Sequence, residues 1–291
     1  MHFRSAWRYF LVILVAAGVA LAVVAFLSLP RGHLLMATTT STRDTGLLPY
    51  LLPHFAEEPE GVEVRYIAVG TGQALDAARR GDADVVMVHA PTLEAQFLAS
   101  GDGRCRNLIM YNTFVIVGPV GDPAGIRNAT SATAGFLRIY QNNSLFESRA
   151  DNSGTYTKEL ELWTAAGLNA STFGTWYEKT NQGMGATLTI ANEKLAYTLS
   201  DDGTWYAREL TLPYLGLLYS SGDAVLRNQY SVIPVNPAAH PGALAEKALT
   251  FANWLVLPRA QALIGAFAVN GHTIFTPNAG DNASNPWACP P

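Results

Sequence analysis

The sequence predicts an α/β protein of two lobes, joined by two long crossover strands and preceded by one apolar segment. Three observations predict it. Short apolar runs alternate with helical patterns in a β-α-β-α-β rhythm between residues 34 and 101. Two long apolar stretches, Met110–Pro119 and Tyr230–Pro237, stand far apart and bracket a second α/β unit. Three hydroxyl-rich turns fall where a strand hands over to a helix. At 291 residues and 49% apolar, the chain can bury a core larger than one lobe needs.

Taken in order, Arg4 and Arg8 precede an apolar run from Tyr9 to Leu29, closed by Pro30-Arg31. The positive flank predicts a cytoplasmic N-terminus and export of everything after it. Residues 1–31 are therefore read as a signal or anchor segment. The run has spanning length, without a small-x-small cleavage site or a lipid-bearing cysteine, which favours an anchor at residues 9–29. The expected location is extracytoplasmic. Leu34–Thr38 reads as a buried strand, and Thr45–Phe55 as a helix shortened or kinked by Pro49 and Pro53. Val62–Ala68 alternates as a second strand; Gln73–Arg80 is a helix ending at Gly81, a left-handed cap. Asp84–His89 is a third strand, near-continuously apolar, as in a parallel sheet covered on both faces. A helix over Leu93–Leu98 ends at Gly101.

Beyond the first long strand, helices are expected over Ser131–Asn142, Tyr156–Ala166 and Ala186–Lys194, with a strand at Leu195–Leu199. Helices Ala243–Leu257 and Arg259–Phe267 follow the second long strand. The chain thus leaves lobe one, builds lobe two and returns. Residues 33–114 with 233–285 are assigned to lobe one and 115–232 to lobe two. Two crossovers make a double hinge, which permits closure around a ligand.

The three turns are Thr38–Thr42, Gly70-Thr71-Gly72-Gln73 and Ser148–Thr155. Helix starts carry unpaired N–H groups and the positive dipole end, so they suit anions. One such turn alone is ordinary capping. Three together with one arginine make a cage for a small oxyanion. The expected donors are Thr39, Thr40, Ser41, Thr71 and Gly72 from lobe one, and Arg149, Ser153, Gly154 and Thr155 from lobe two. Gly185, at a third helix start in lobe two, is a weaker candidate. Asp44 and Asp151 stand beside the motifs, and first-turn helix positions explain them as dipole and capping partners. Gly70-x-Gly72 lacks the third glycine of a dinucleotide fingerprint, since Leu75 stands there.

The formal charge of −4 and the absence of a basic stripe argue against a nucleic-acid partner. The six histidines are scattered and there is no CxxC, so no free-cation metal site is expected. A hydrolase would need a base or metal beside the hydroxyls, and no Gly-x-Ser-x-Gly or metal cluster supplies one. Cys105 and Cys289 form a disulfide in an exported compartment, or remain two unrelated thiols.

In order along the chain, the residues resemble a known family. They are Ala37–Thr42 (Ala-Thr-Thr-Thr-Ser-Thr), Ile67–Leu75 (Ile-Ala-Val-Gly-Thr-Gly-Gln-Ala-Leu), Gly81-Asp82-Ala83-Asp84, Phe114–Pro119, Asp122–Ile126, Asp151–Thr155, Gln182–Gly185, Ala196–Leu199 and Val232–Asn236. Over about residues 35–270 the chain resembles the tungstate-binding proteins of tungstate ABC transporters, of type II periplasmic-binding-protein architecture. The resemblance implies capture of tungstate, with molybdate as competitor, as ligand and not as cofactor. It implies delivery by a monomer to a permease and its ATPase, and no enzyme activity. Sulfate or phosphate is the rival ligand, and a hydrolase using the Thr/Ser cluster the rival class. Two departures stand out: Ala150 where the family has glycine, and Thr113 where it has an acidic residue.

Overall fold

The computed structural model describes residues 32–220 and 222–290. The predicted anchor segment lies outside them. Among the described residues, no helix is long and apolar enough to cross a membrane.

β1 (His33–Thr39), β2 (Glu63–Val69) and β3 (Val85–Val88) are parallel neighbours, with β1 central. Between them run α1 (Thr40–Asp44), α2 (Leu47–Ala56) and α3 (Thr71–Arg79), and α4 (Pro91–Ala99) follows β3. Every residue of β3 is buried. Val85 and Met87 join one core while Val86 and Val88 join the other, so its unbroken apolar run serves two layers at once. The helix expected over Thr45–Phe55 stands as α2, and α1 is a second, unexpected helix ahead of it. Gly46 at φ +82° turns the chain between them, and Thr40–Asp44 forms a turn of its own. Pro49 falls in the first turn of α2, where its missing N–H costs nothing; Pro53 lies inside. Gly81 takes the expected left-handed conformation, and Gly101 takes it as well.

β4 (Asn107–Pro119) carries the chain between halves. Its first part, Asn107–Thr113, pairs antiparallel with β9 (Arg227–Pro234). Its second part pairs antiparallel with β7 (Thr198–Asp201) and β8 (Leu215–Tyr219). The core changes with it: Ile109 and Met110 pack with Leu34, Phe55 and Phe251, whereas Phe114 and Ile116 pack with Phe136 and Trp163. β9 in turn pairs antiparallel with β3. Antiparallel crossovers on parallel βαβ units make the sheets mixed.

The second half holds α5 (Ala132–Gln141), β5 (Phe146–Ser148), α6 (Gly154–Ala165), β6 (Tyr177–Lys179), α7 (Met184–Lys194) and α8 (Asp202–Arg208). β5 and β6 pair in parallel. β5, β6 and β8 were not expected from the sequence; they are short and polar or flanked by irregular chain. α9 (Ala245–Trp254) and α10 (Pro258–Ala266) return to the first half through Phe251, Trp254 and Ile264. A Cys105–Cys289 disulfide ties the C-terminal tail down, settling the open question of the two thiols.

Candidate functional site

All three hydroxyl turns stand at helix starts: Thr40 opens α1, Thr71 opens α3 and Gly154 opens α6. They meet where the two halves touch. The joining side chain is Arg149, on the segment between β5 and α6, which is 1% exposed. Its Nη2 donates to Thr40 Oγ1 across the cleft (3.1 Å) and to Asp151 Oδ2 (2.5 Å), and its Nη1 reaches Thr155 Oγ1 at 3.4 Å. Arg149 Nε is buried and has no protein partner; neither has Thr71 Oγ1. An unpartnered buried polar group costs about 1–3 kcal/mol. Two of them beside each other's turns mark a place built to receive hydrogen-bond acceptors.

Glycines let the backbones approach. A Cβ on Gly70 would lie 2.8 Å from Asp151 O, and one on Gly154 would lie 2.7 Å from His89 O. The Gly72 N–H crosses the cleft to Asn152 O at 3.0 Å. The third start also arrives: a Cβ on Gly183, just ahead of α7, would lie 3.3 Å from Thr40 Cγ2. Gly185 sits one step further on, against Asp44.

The other predicted residues have local duties as well. Thr39 Oγ1 bonds Thr42 Oγ1 at 2.8 Å, bracing the first turn. Ser153 Oγ accepts from Tyr156 N (3.2 Å), so it is the N-cap of α6. Ser41 is fully buried with its Oγ 3.4 Å from His89 Nε2. The first-turn explanation of the two aspartates fails. Asp44 is the last residue of α1 and pairs with Arg43. Asp151 lies outside α6; its Oδ2 takes Arg149 and its Oδ1 takes the Ser153 N–H (3.3 Å). Both Asp151 oxygens thus face protein donors, and the pair adds no net charge to the cage.

Ala150 and Asn152 flank Asp151 at φ +47° and +57°, so the loop bends through two left-handed residues. A glycine at position 150 would suit that conformation, and Ala150 adopts it regardless. Beneath the loop, Glu159 accepts from Ser148 Oγ (2.8 Å), Tyr177 Oη (2.5 Å) and Trp163 Nε1 (3.2 Å). Burial raises its pKa to about 7.

His89 was missed. It stands at the carboxyl end of β3, is 2% exposed, and stacks on Tyr230 at 4.7 Å. The signal was present: a polar residue closing a wholly apolar strand sits where such sheets bind ligands. A search for metal spacing passes over it. A cleft of about 220 Å³ opens beside it, lined among others by Thr92, Gly154, Lys158, Glu161 and Arg227. Among the described residues, no group of three His, Cys, Asp or Glu side chains could hold a metal ion.

Comparison with known proteins agrees with this fold. The family model described as "PBP superfamily domain" matches residues 28–259. The chain is 42% identical over 254 residues to the tungstate-binding protein TupA of Peptoclostridium acidaminophilum, covering 86% of this chain and 87% of that one. Among solved structures it is similar to the tungstate-binding protein TupA of Desulfovibrio alaskensis G20, at 44% identity and TM-score 0.72. That match covers 84% of this chain and 98% of the other. It is also similar to the structure described as the tungstate ABC transporter from Geobacter sulfurreducens, at 43% identity and TM-score 0.74, over 82% and 100% of the two chains. By the span of the family match and the identity to these relatives, the chain belongs to the PBP superfamily and, within it, to the family of the TupA tungstate-binding proteins.

Proposed function

We propose that this protein is an extracytoplasmic solute-binding protein that captures tungstate, or molybdate, between two closing lobes and hands it to an ABC permease with its ATPase. The cage is assigned to Thr39, Thr40, Ser41, Thr71, Gly72, Arg149, Ser153, Gly154 and Thr155, with Gly185 at its margin. The protein works as a monomer, held at the outer face of the membrane by residues 9–29, and performs no chemistry on its ligand.

The observation that carries the reading is Arg149, buried with an unpartnered Nε and joined to Thr40 across the cleft and to Thr155 on its own side. Tungstate is a tetrahedral dianion without a proton near neutral pH, so donors alone suit it. Hydrogen bonds with one charged partner contribute about 1.5–3 kcal/mol each, and nanomolar affinity needs about 12 kcal/mol. About four to eight such donors suffice. Phosphate retains a proton and wants an acceptor. Asp151, whose oxygens are both engaged by Arg149 and Ser153, is poorly placed to supply one.

Isothermal titration of the full chain in mild detergent is expected to give one-to-one tungstate binding. Molybdate should be similar or weaker, and sulfate and phosphate far weaker. Arg149→Ala should weaken tungstate by at least about 2 kcal/mol, roughly thirtyfold. Phosphate binding as tight as tungstate would reverse the ligand assignment.

A further inference from the structure

His89 touches three things that must move together. Its Nε2 faces Ser41 Oγ in the first turn (3.4 Å), and its Nδ1 faces Asn228 Oδ1 on β9 (2.8 Å). Its ring and carbonyl form the surface on which the Gly154 end of α6 rests. Asn228 Nδ2 donates to Asn112 Oδ1 on β4 (2.7 Å) and to Tyr230 Oη (3.2 Å), so both crossover strands belong to the chain of bonds.

We propose that His89 is a positioning residue that sets the direction of the Ser41 hydroxyl and couples the cage to the two crossover strands. The inference rests on the reading of Ser41 as part of an oxyanion cage. The direction of the chain follows from its fixed end. Asn228 Nδ2 has two acceptors of its own, which leaves Oδ1 for the histidine. Nδ1 therefore carries the proton, and neutral Nε2 offers a lone pair. Ser41 donates its hydroxyl to that lone pair. What Ser41 turns to an anion is then its backbone N–H. Neutrality matters, because an imidazolium would donate from Nε2, reverse Ser41, and place a charge under the cage.

Burial lowers the His89 pKa to about 4, the Asn228 bond opposing it. The charged groups nearby are Arg149, which also lowers it, and Asp151, which raises it. Tyr230 faces the ring from β9 with its own pKa pushed far up by burial, and Lys158, Glu161 and Arg227 line the adjoining cleft. With those partners the ring stays neutral throughout the range from pH 5.5 to 8.

Two measurements test this. Nitrogen NMR of histidine-labelled, ligand-free full chain should show His89 as the neutral Nδ1–H tautomer from pH 5.5 to 8; the Nε2–H tautomer, or a ring that protonates in that range, overturns the inference. Asn228→Asp places a carboxylate on Nδ1 and should bring imidazolium formation into the same range. Its tungstate affinity should then tighten at least threefold from pH 8 to 5.5, while the wild type varies less than twofold. A variant as flat as the wild type overturns the coupling, since a purely structural role for His89 would leave the profile unmoved. His89→Phe keeps the ring stack and should stay folded, lose at least tenfold in tungstate affinity, and be pH-independent; unchanged affinity also overturns it. A wild type that shows the Nδ1–H tautomer yet binds no tungstate would sink the ligand assignment and leave the Ser41 orientation standing.

Discussion

Arg149 was visible in the sequence because charge is scarce in the turns and it stands beside Asp151–Thr155. Its burial was not, since a flexible cation two residues before a loop is usually on the surface. The hydroxyls were legible as a set and ambiguous one by one. Ser153 is a helix cap, Thr39 braces its own turn, and Thr71 keeps an unpartnered Oγ1. No composition rule separates those three fates, because each depends on what the opposite half presents. Ala150 carries a conformational cost. Its φ of +47° is a conformation that alanine adopts at about 1–2 kcal/mol and glycine nearly freely. Ala150→Gly should therefore raise stability by about 1 kcal/mol, a gain reduced by glycine's freer unfolded state. Denaturant midpoints of the two proteins check this, and a lower midpoint for the glycine variant would show that the loop tolerates the methyl without strain.

At the scale of elements, the βαβ units of the first half were legible because β3 is an unbroken apolar run and β2 alternates, with glycine stops at Gly81 and Gly101. β5 and β6 were not, since three-residue strands such as Phe-Glu-Ser leave no periodicity to read. Thr40–Asp44 was hidden for another reason. Its helix is held by packing under the cleft and by Thr42 and Thr45 bonding back to earlier carbonyls, not by helix-forming residues. The element that decides closure is α6, whose first residue meets backbone. Gly154→Ala sets a Cβ 2.7 Å from the His89 carbonyl oxygen, where only separation of the halves relieves the clash. Gly72→Ala meets the end of the Asn152 side chain at 2.1 Å, which can swing away, and the Asn152 carbonyl only at 3.2 Å. Gly154→Ala is thus expected to weaken tungstate at least tenfold and Gly72→Ala distinctly less. Titration of both variants reads the order directly. The reverse order would mean that closure is set at α3 and not at α6.

Over the whole molecule, a formal charge of −4 gives an anion no long-range steering, so capture rests on the pocket and on the halves closing over it. Closure needs rigid halves, and each half keeps buried carboxyls near the joint. Asp202 opens α8 beside Asp201; burial first, then the charge of Asp201, raises its pKa to about 8. Burial likewise raises Glu94 and Glu159 to about 7. In the unfolded chain these carboxyls ionise near the ordinary carboxylate range. Between that range and their folded values the native state binds more protons than the unfolded state, so stability falls as pH rises. His89 acts oppositely. Its folded pKa of about 4 lies below the unfolded value, so it lowers stability only as pH drops below about 6.5. The window from pH 6.5 to 8 is nearly free of His89 and is shared about equally between Asp202 and the pair Glu94 and Glu159. Across it the ligand-free protein should lose about 3 kcal/mol, or about 8 °C in melting temperature. Asp202→Asn keeps the shape without the titration and should remove about half of that slope. Calorimetry at the two pH values checks both proteins, and a wild-type melting temperature that rises toward pH 8 would mean that Asp202 is ionised in the folded chain.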